Sequence, residues 1–151
     1  MITAFSTSSS SATLPAALAI AHDELKLSPS TSGFVLPLGA TMNMSGTALF
    51  EGCVVLFVAQ AFGVDLALDQ QVVLMFLAVL SAVAVAGLPG GSLSLIAGLL
   101  ATFGVPPEGI GIIIGVDRIL DMLRTTVNVG SDIVTATVVD AQISASAERA
   151  G

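Results

Sequence analysis

Apolar runs, interrupted by short polar or glycine-rich stretches, divide the chain into four segments. In the first, residues 1–27, a Ser/Thr-rich run over residues 6–11 leads into Thr13, Leu14 and Pro15. An apolar stretch over residues 16–21 and a charged patch over residues 22–26 follow. Ser or Thr ahead of a proline in the first turn is a helix-start signal. It predicts a helix of about 10 residues, roughly 15 Å or half the thickness of a bilayer core. The second segment, residues 33–62, has two apolar halves around Asn43, Met44, Ser45, Gly46 and Thr47. A simple spanning helix avoids such a centre. A broken helix lining a cavity uses it, because freed backbone carbonyls can then bind ions.

The third segment, residues 68–104, places Gly87-Leu88-Pro89-Gly90-Gly91-Ser92 between two apolar arms, residues 72–86 and 93–103. Arms of about 15 and 11 residues fall short of the ~20 that span a bilayer. The pattern reads as a re-entrant hairpin whose backbone faces protein or water; an ordinary loop between tilted helices is the other reading. In the fourth segment, residues 108–147, Asp117, Asp121, Arg124, Asn128 and Asp132 recur at spacings of 4, 3, 4 and 4. At about 100° per residue these five share an arc of roughly 80°, with Ile119, Leu120, Leu123 and Val127 on the other sides. Ionisable residues striped along a membrane helix mark a substrate or ion path. The competing reading is the solvated face of a soluble helix, which would carry more Lys and Glu.

Composition decides between those solvents. The chain is 54% hydrophobic and only 10% charged, with a mean hydropathy of +0.98; soluble domains carry roughly 25% charged residues. Eleven acidic against four basic residues exclude a nucleic-acid partner, which requires a basic surface. Cys53 has no second cysteine to pair with and reads as a small core residue. His22, beside Asp23 and Glu24, reads as a surface histidine. With no Ser/His/Asp or Cys/His arrangement, an enzyme is not expected. Met1 is not followed by a secretory leader, and the Ser/Thr-rich run alone would also suit a disordered linker. Trp and Tyr are absent, so the usual aromatic belt is missing, and the chain is expected to begin inside a larger structure.

Four stretches together resemble the glutamate transporter family, the dicarboxylate/amino acid:cation symporters. Ser8-Ser9-Ser10-Ser11-Ala12-Thr13-Leu14-Pro15 looks like the tip of the family's first hairpin. Residues 39–49, from Gly39 to Leu49, are similar to its Asn-Met-Asp-Gly-Thr helix break. Ala86-Gly87-Leu88-Pro89-Gly90 resembles the tip of its second hairpin, and residues 116–132 (VDRILDMLRTTVNVGSD) resemble its last helix. The motifs follow the family's order over nearly the whole chain.

The resemblance implies an all-α membrane protein of broken transmembrane helices and re-entrant hairpins, sited as a multi-pass protein in the cell (inner) membrane. Residues 1–27 would be the second arm of the first hairpin, with the N-terminal scaffold absent. The implied function is symport of acidic amino acids, glutamate or aspartate, coupled to Na+ and/or H+ with no other cofactor. The partners are the lipid bilayer and, in the full-length family, two further copies in a homotrimer. A C4-dicarboxylate symporter or a non-transporting remnant are the alternatives. By the resemblance, Arg124 grips the substrate's side-chain carboxylate and Asp121 its ammonium. Thr125 and Asn128 contact the main-chain carboxylate and its surroundings, and Thr47 reaches the distal carboxylate. Ser10 and the second tip, from Leu88 to Ser92, close over the substrate. One sodium site would use Asp132 with carbonyls of Gly39, Asn43 and Asn128; a second would use carbonyls near Thr41 and from Ala82, Val83 and Val85.

Two positions shape the coupling expected. Ser45 replaces the aspartate of the family's helix break, and a third sodium site depends on that carboxylate. Glu51 stands where proton-coupled animal members carry glutamate; it is the expected proton carrier, the alternative being a family holdover paired with a residue of the family's N-terminal half. Arg118, about 60° around the helix from Asp121 and on the far side from Arg124, is expected to flank the site.

Overall fold

The computed structural model describes residues 1–84 and 92–150, and among them it is all-α. The helices are α1 (Ile2–Thr7), α2 (Ser10–Asp23), α3 (Pro29–Met42), α4 (Ser45–Ala61), α5 (Leu68–Ala84), α6 (Leu93–Thr102) and α7 (Ile110–Ala150), with a 3-10 turn at Pro107–Gly109. Residues 85–91, where the second tip was expected, lie outside the described residues; Val85 and Leu88 fall there.

The first helices start earlier than Pro15 suggests. Ser9 caps α2 by accepting from Ala12 N at 3.2 Å, and Thr13 Oγ1 donates to the Ser9 carbonyl at 2.8 Å. These bonds hold a turn ahead of the proline, so Pro15 lies inside a 14-residue helix. The Ser/Thr-rich run is an ordered corner: Ser8 is left-handed (φ 51°), and Ser8, Ser9 and Ser10 are buried between α1 and α2. Ser28 caps α3 with Pro29 at its first position, the preferred arrangement for a helix start. Asp140 of α7 secures that cap, accepting from Ser28 Oγ at 2.5 Å.

The second segment is broken as the sequence implies. Asn43 and Met44 leave helical geometry between α3 and α4. Counted across the break, the 33 residues Pro29–Ala61 are long and apolar enough to cross a membrane. The 41 residues of α7 extend about 60 Å, twice a bilayer core of ~30 Å.

Two apolar clusters organise the packing. Val55, Val58, Leu74, Ile96, Leu100 and Ile113 join α4, α5 and α6 to the first part of α7. Ala4, Ala17, Ala21, Leu36, Val129 and Ala136 join α1, α2 and α3 to its later part. Helix α7 runs through both, and its polar stripe lies where the break in α3–α4 meets it.

Cys53 is not a core residue. It is exposed, on a face of α4 turned away from Glu51, in a shallow apolar groove with Leu49, Leu56 and Met75. His22 is exposed, and its Nε2 lies 2.7 Å from Ser32 Oγ, tying the end of α2 to α3.

Candidate functional site

The five-residue stripe of α7 faces inward. Asp117, Asp121, Arg124, Asn128 and Asp132 are all buried, with Thr125 beside them. On the opposite side of the same helix, apolar residues such as Ile119, Leu123 and Val127 point out: Asp121 is 4% exposed and Ile119 61%. Water as solvent would select the reverse, since burying unpaired charge is costly and exposing Ile gains nothing. An apolar surrounding selects this one. Arg118 is exposed and is not part of the buried cluster that it was expected to flank.

At the centre, Arg124 Nη2 and Nε donate to Asp121 Oδ1 at 2.6 and 3.1 Å. Nη1 donates to Ser92 Oγ at the start of α6. The guanidinium lies over the Phe50 ring, 4.5 Å from its centroid, a cation–π arrangement that favours a desolvated cation. Phe50 carries no sequence signal: a Phe in an apolar helix looks like any core residue. Asp117, one turn before Asp121, has an Oδ1 with no hydrogen-bond partner among the described residues.

One turn further on, Asn128 closes onto the helix break. Its Oδ1 accepts from Gly46 N at 2.7 Å and Thr47 N at 3.3 Å, satisfying donors that a helix start leaves open. Its Nδ2 donates to Thr47 Oγ1 at 3.2 Å and points at Met44 Sδ at 3.3 Å. This close approach explains Gly46, where a Cβ would stand 2.5 Å from the Arg124 carbonyl oxygen.

Asp132 forms a second centre. Asn43 Nδ2 donates to its Oδ1 at 2.9 Å and to Ser131 Oγ at 2.7 Å. Ser45 Oγ donates to the same Ser131 at 3.0 Å, a polar link that the stripe pattern did not contain. Gly39 presses against the Asp132 carboxyl so closely that a Cβ there would overlap it. Gly39, Met42, Asn43 and Asp132 line a cavity of about 240 Å³. No cluster of three His, Cys, Asp or Glu side chains exists among the described residues. A cation here would therefore rest on one carboxylate with amide and backbone oxygens, a hard donor set suited to an alkali ion.

The remaining candidates divide. Ser10, Thr47 and Ala82 are buried. Thr41 and Val83 are exposed, and Thr41 Oγ1 is turned back to the Leu38 carbonyl at 2.9 Å. Glu51 is fully buried; neither carboxylate oxygen has a hydrogen-bond partner among the described residues, nor does Ser81 Oγ.

Comparison with known proteins identifies relatives of the chain. The sodium:dicarboxylate symporter family matches residues 1–142. The excitatory amino acid transporter 3 of Mus musculus is 41% identical over 132 residues, 87% of this chain and 25% of that protein. The excitatory amino acid transporter 1 of Ambystoma tigrinum is 41% identical over 140 residues, 93% of this chain and 26% of that protein. The proton/sodium-glutamate symport protein of Bacillus caldotenax is 36% identical over 129 residues, 85% of this chain and 30% of that protein. The matched part of this chain thus spans between 25% and 30% of the length of these three relatives.

Proposed function

The chain belongs to the sodium:dicarboxylate symporter family, and from that premise we propose that it forms the substrate- and ion-binding part of a membrane symporter for acidic amino acids. The observation that carries the reading is the buried Arg124–Asp121 pair. An arginine fork binds a carboxylate bidentately, and an aspartate beside it supplies the charge that an ammonium group needs. A zwitterion with an acidic side chain answers both. A plain dicarboxylate answers only the first and places a carboxylate near Asp121.

The relatives' names speak of excitatory amino acids and of glutamate with protons and sodium. In this reading Asp132 with the backbone at Gly39 and Asn43 holds a sodium ion, and Asn128 and Thr125 lie beside the substrate's main-chain carboxylate. Ser10, Thr47 and the second tip, Leu88 to Ser92, complete the enclosure. Carbonyls near Thr41, Ala82, Val83 and Val85 serve a second sodium ion. Protons travel on Glu51. The homotrimer and the surrounding bilayer belong to the same reading; the outward apolar face of α7 supports the latter.

The test is uptake of labelled L-aspartate into proteoliposomes containing the full-length protein, under an inward sodium gradient. Glutamate should compete strongly and succinate weakly. Equal competition by succinate would replace the amino-acid assignment with a C4-dicarboxylate one.

A further inference from the structure

We propose that Ser92 is a positioning residue for Arg124, fixing the guanidinium so that two of its N–H groups meet the substrate's side-chain carboxylate at one depth; the inference rests on the acidic-substrate reading above. Ser92 occupies the N-cap of α6. A serine there ordinarily turns its hydroxyl onto a backbone N–H of the first turn. This one makes no side-chain cap bond. It is 1% exposed, and its Oγ accepts from Arg124 Nη1 across 32 residues of sequence. The local preference of the helix start has yielded to a contact with the binding arginine.

A count of donors shows what that contact does. A guanidinium has five N–H groups: one on Nε and two on each Nη. Asp121 Oδ1 takes those of Nε and Nη2 at 3.1 and 2.6 Å, and Ser92 takes one from Nη1. Beyond these three bonds, Nη1 and Nη2 each keep one N–H, the pair that a carboxylate accepts side by side. Asp121 holds one edge of the fork and Phe50 covers one face. Neither stops the plane from swinging about the Asp121 edge, whereas Ser92 pins the opposite nitrogen.

The consequence is selectivity for chain length. Aspartate and glutamate differ by one methylene, so their side-chain carboxylates reach different depths. A pinned fork discriminates between those depths and a swinging fork does so less.

The experiment measures KM and kcat for L-aspartate and L-glutamate uptake by the full chain in proteoliposomes. Ser92→Ala should move the aspartate-to-glutamate KM ratio toward one by at least about threefold, the low end of what one hydrogen bond contributes. Ser92→Thr, which keeps the hydroxyl, should retain the parent ratio. A role confined to building α6 would instead lower the maximal rate for both substrates and leave the ratio alone. If Ser92→Ala does not reach the membrane, Ser92→Gly removes the same oxygen and suits an N-cap nearly as well. A parent ratio preserved in these hydroxyl-free variants overturns the inference. A parent protein that transports neither amino acid overturns the acidic-substrate reading itself.

Discussion

Asn43 Nδ2 lies 2.9 Å from Asp132 Oδ1, although 89 residues separate them in sequence. The bond joins the helix break to α7 and leaves the carboxylate beside the backbone of Gly39. If Asp132 binds sodium without touching substrate, Asp132→Asn should lower apparent sodium affinity. Linkage then lowers substrate affinity wherever sodium is subsaturating, because a bound sodium ion and a bound substrate each raise the other's affinity by one shared factor. Substrate binding titrated at several sodium concentrations checks this, and an unchanged sodium dependence removes Asp132 from the ion site.

Arg124→Cys should abolish aspartate and glutamate uptake and let neutral amino acids compete, since the buried stripe loses its cation. The substitution also leaves Asp121 buried without its partner. Removing one member of a buried pair costs about 3–5 kcal/mol, so membrane abundance must be measured beside uptake. Near-parent aspartate affinity in the variant would show that another residue anchors the carboxylate.

Gly46→Ala should destabilise the protein by about 1–3 kcal/mol, the usual cost of forcing extra volume into a packed contact. Its Cβ would stand 2.5 Å from the Arg124 carbonyl oxygen and 3.0 Å from Asn128 Oδ1. The first of these is backbone, so relief requires α4 and α7 to separate. Thermal unfolding in detergent reads the loss, and an unchanged Tm would show that the helices have room to spare.

Glu51 is fully buried with the Ser81 hydroxyl of α5 near its carboxylate, yet no hydrogen bond of ordinary geometry reaches either carboxylate oxygen among the described residues. An inward proton gradient at fixed sodium should therefore accelerate uptake, and Glu51→Gln should erase that acceleration while leaving sodium dependence in place. A parent protein indifferent to the pH gradient would sink proton coupling through this residue.

The parts legible in the sequence are those with a period or a punctuation mark. Asp117 to Asp132 repeat at helical spacing, so their shared face followed from geometry alone, and their burial followed from a chain too apolar for water. The break at Asn43 and Met44 was legible because polar residues and a glycine interrupt apolar flanks. The start of α2 is not legible because Pro15 is a strong signal, whereas the Ser9 cap and the Thr13 back-bond are weak ones that act together. Cys53 departs from the sequence expectation for a different reason. Small apolar residues sit inside when water is outside, and that rule loses its force where the outer faces of the helices are apolar as well. Phe50 under Arg124 and Ser131 between Asn43 and Ser45 had no pattern to announce them; each depends on which helices meet.

Because the middle of α7 buries Asp117, Asp121, Arg124, Asn128 and Asp132 and turns Ile119, Leu123 and Val127 outward, a tolerance map of this stretch would be out of phase with that of a soluble helix. Ile119, Leu123 and Val127, 49–61% exposed, should exchange freely among apolar types yet reject a charge. Asp121, Arg124 and Asn128 should accept almost nothing. Both sets repeat every three to four residues, so the rhythm of the map would look ordinary and only its chemistry would be inverted. Read with the habits formed on water-soluble proteins, such a map would mistake the helix's outside for its core.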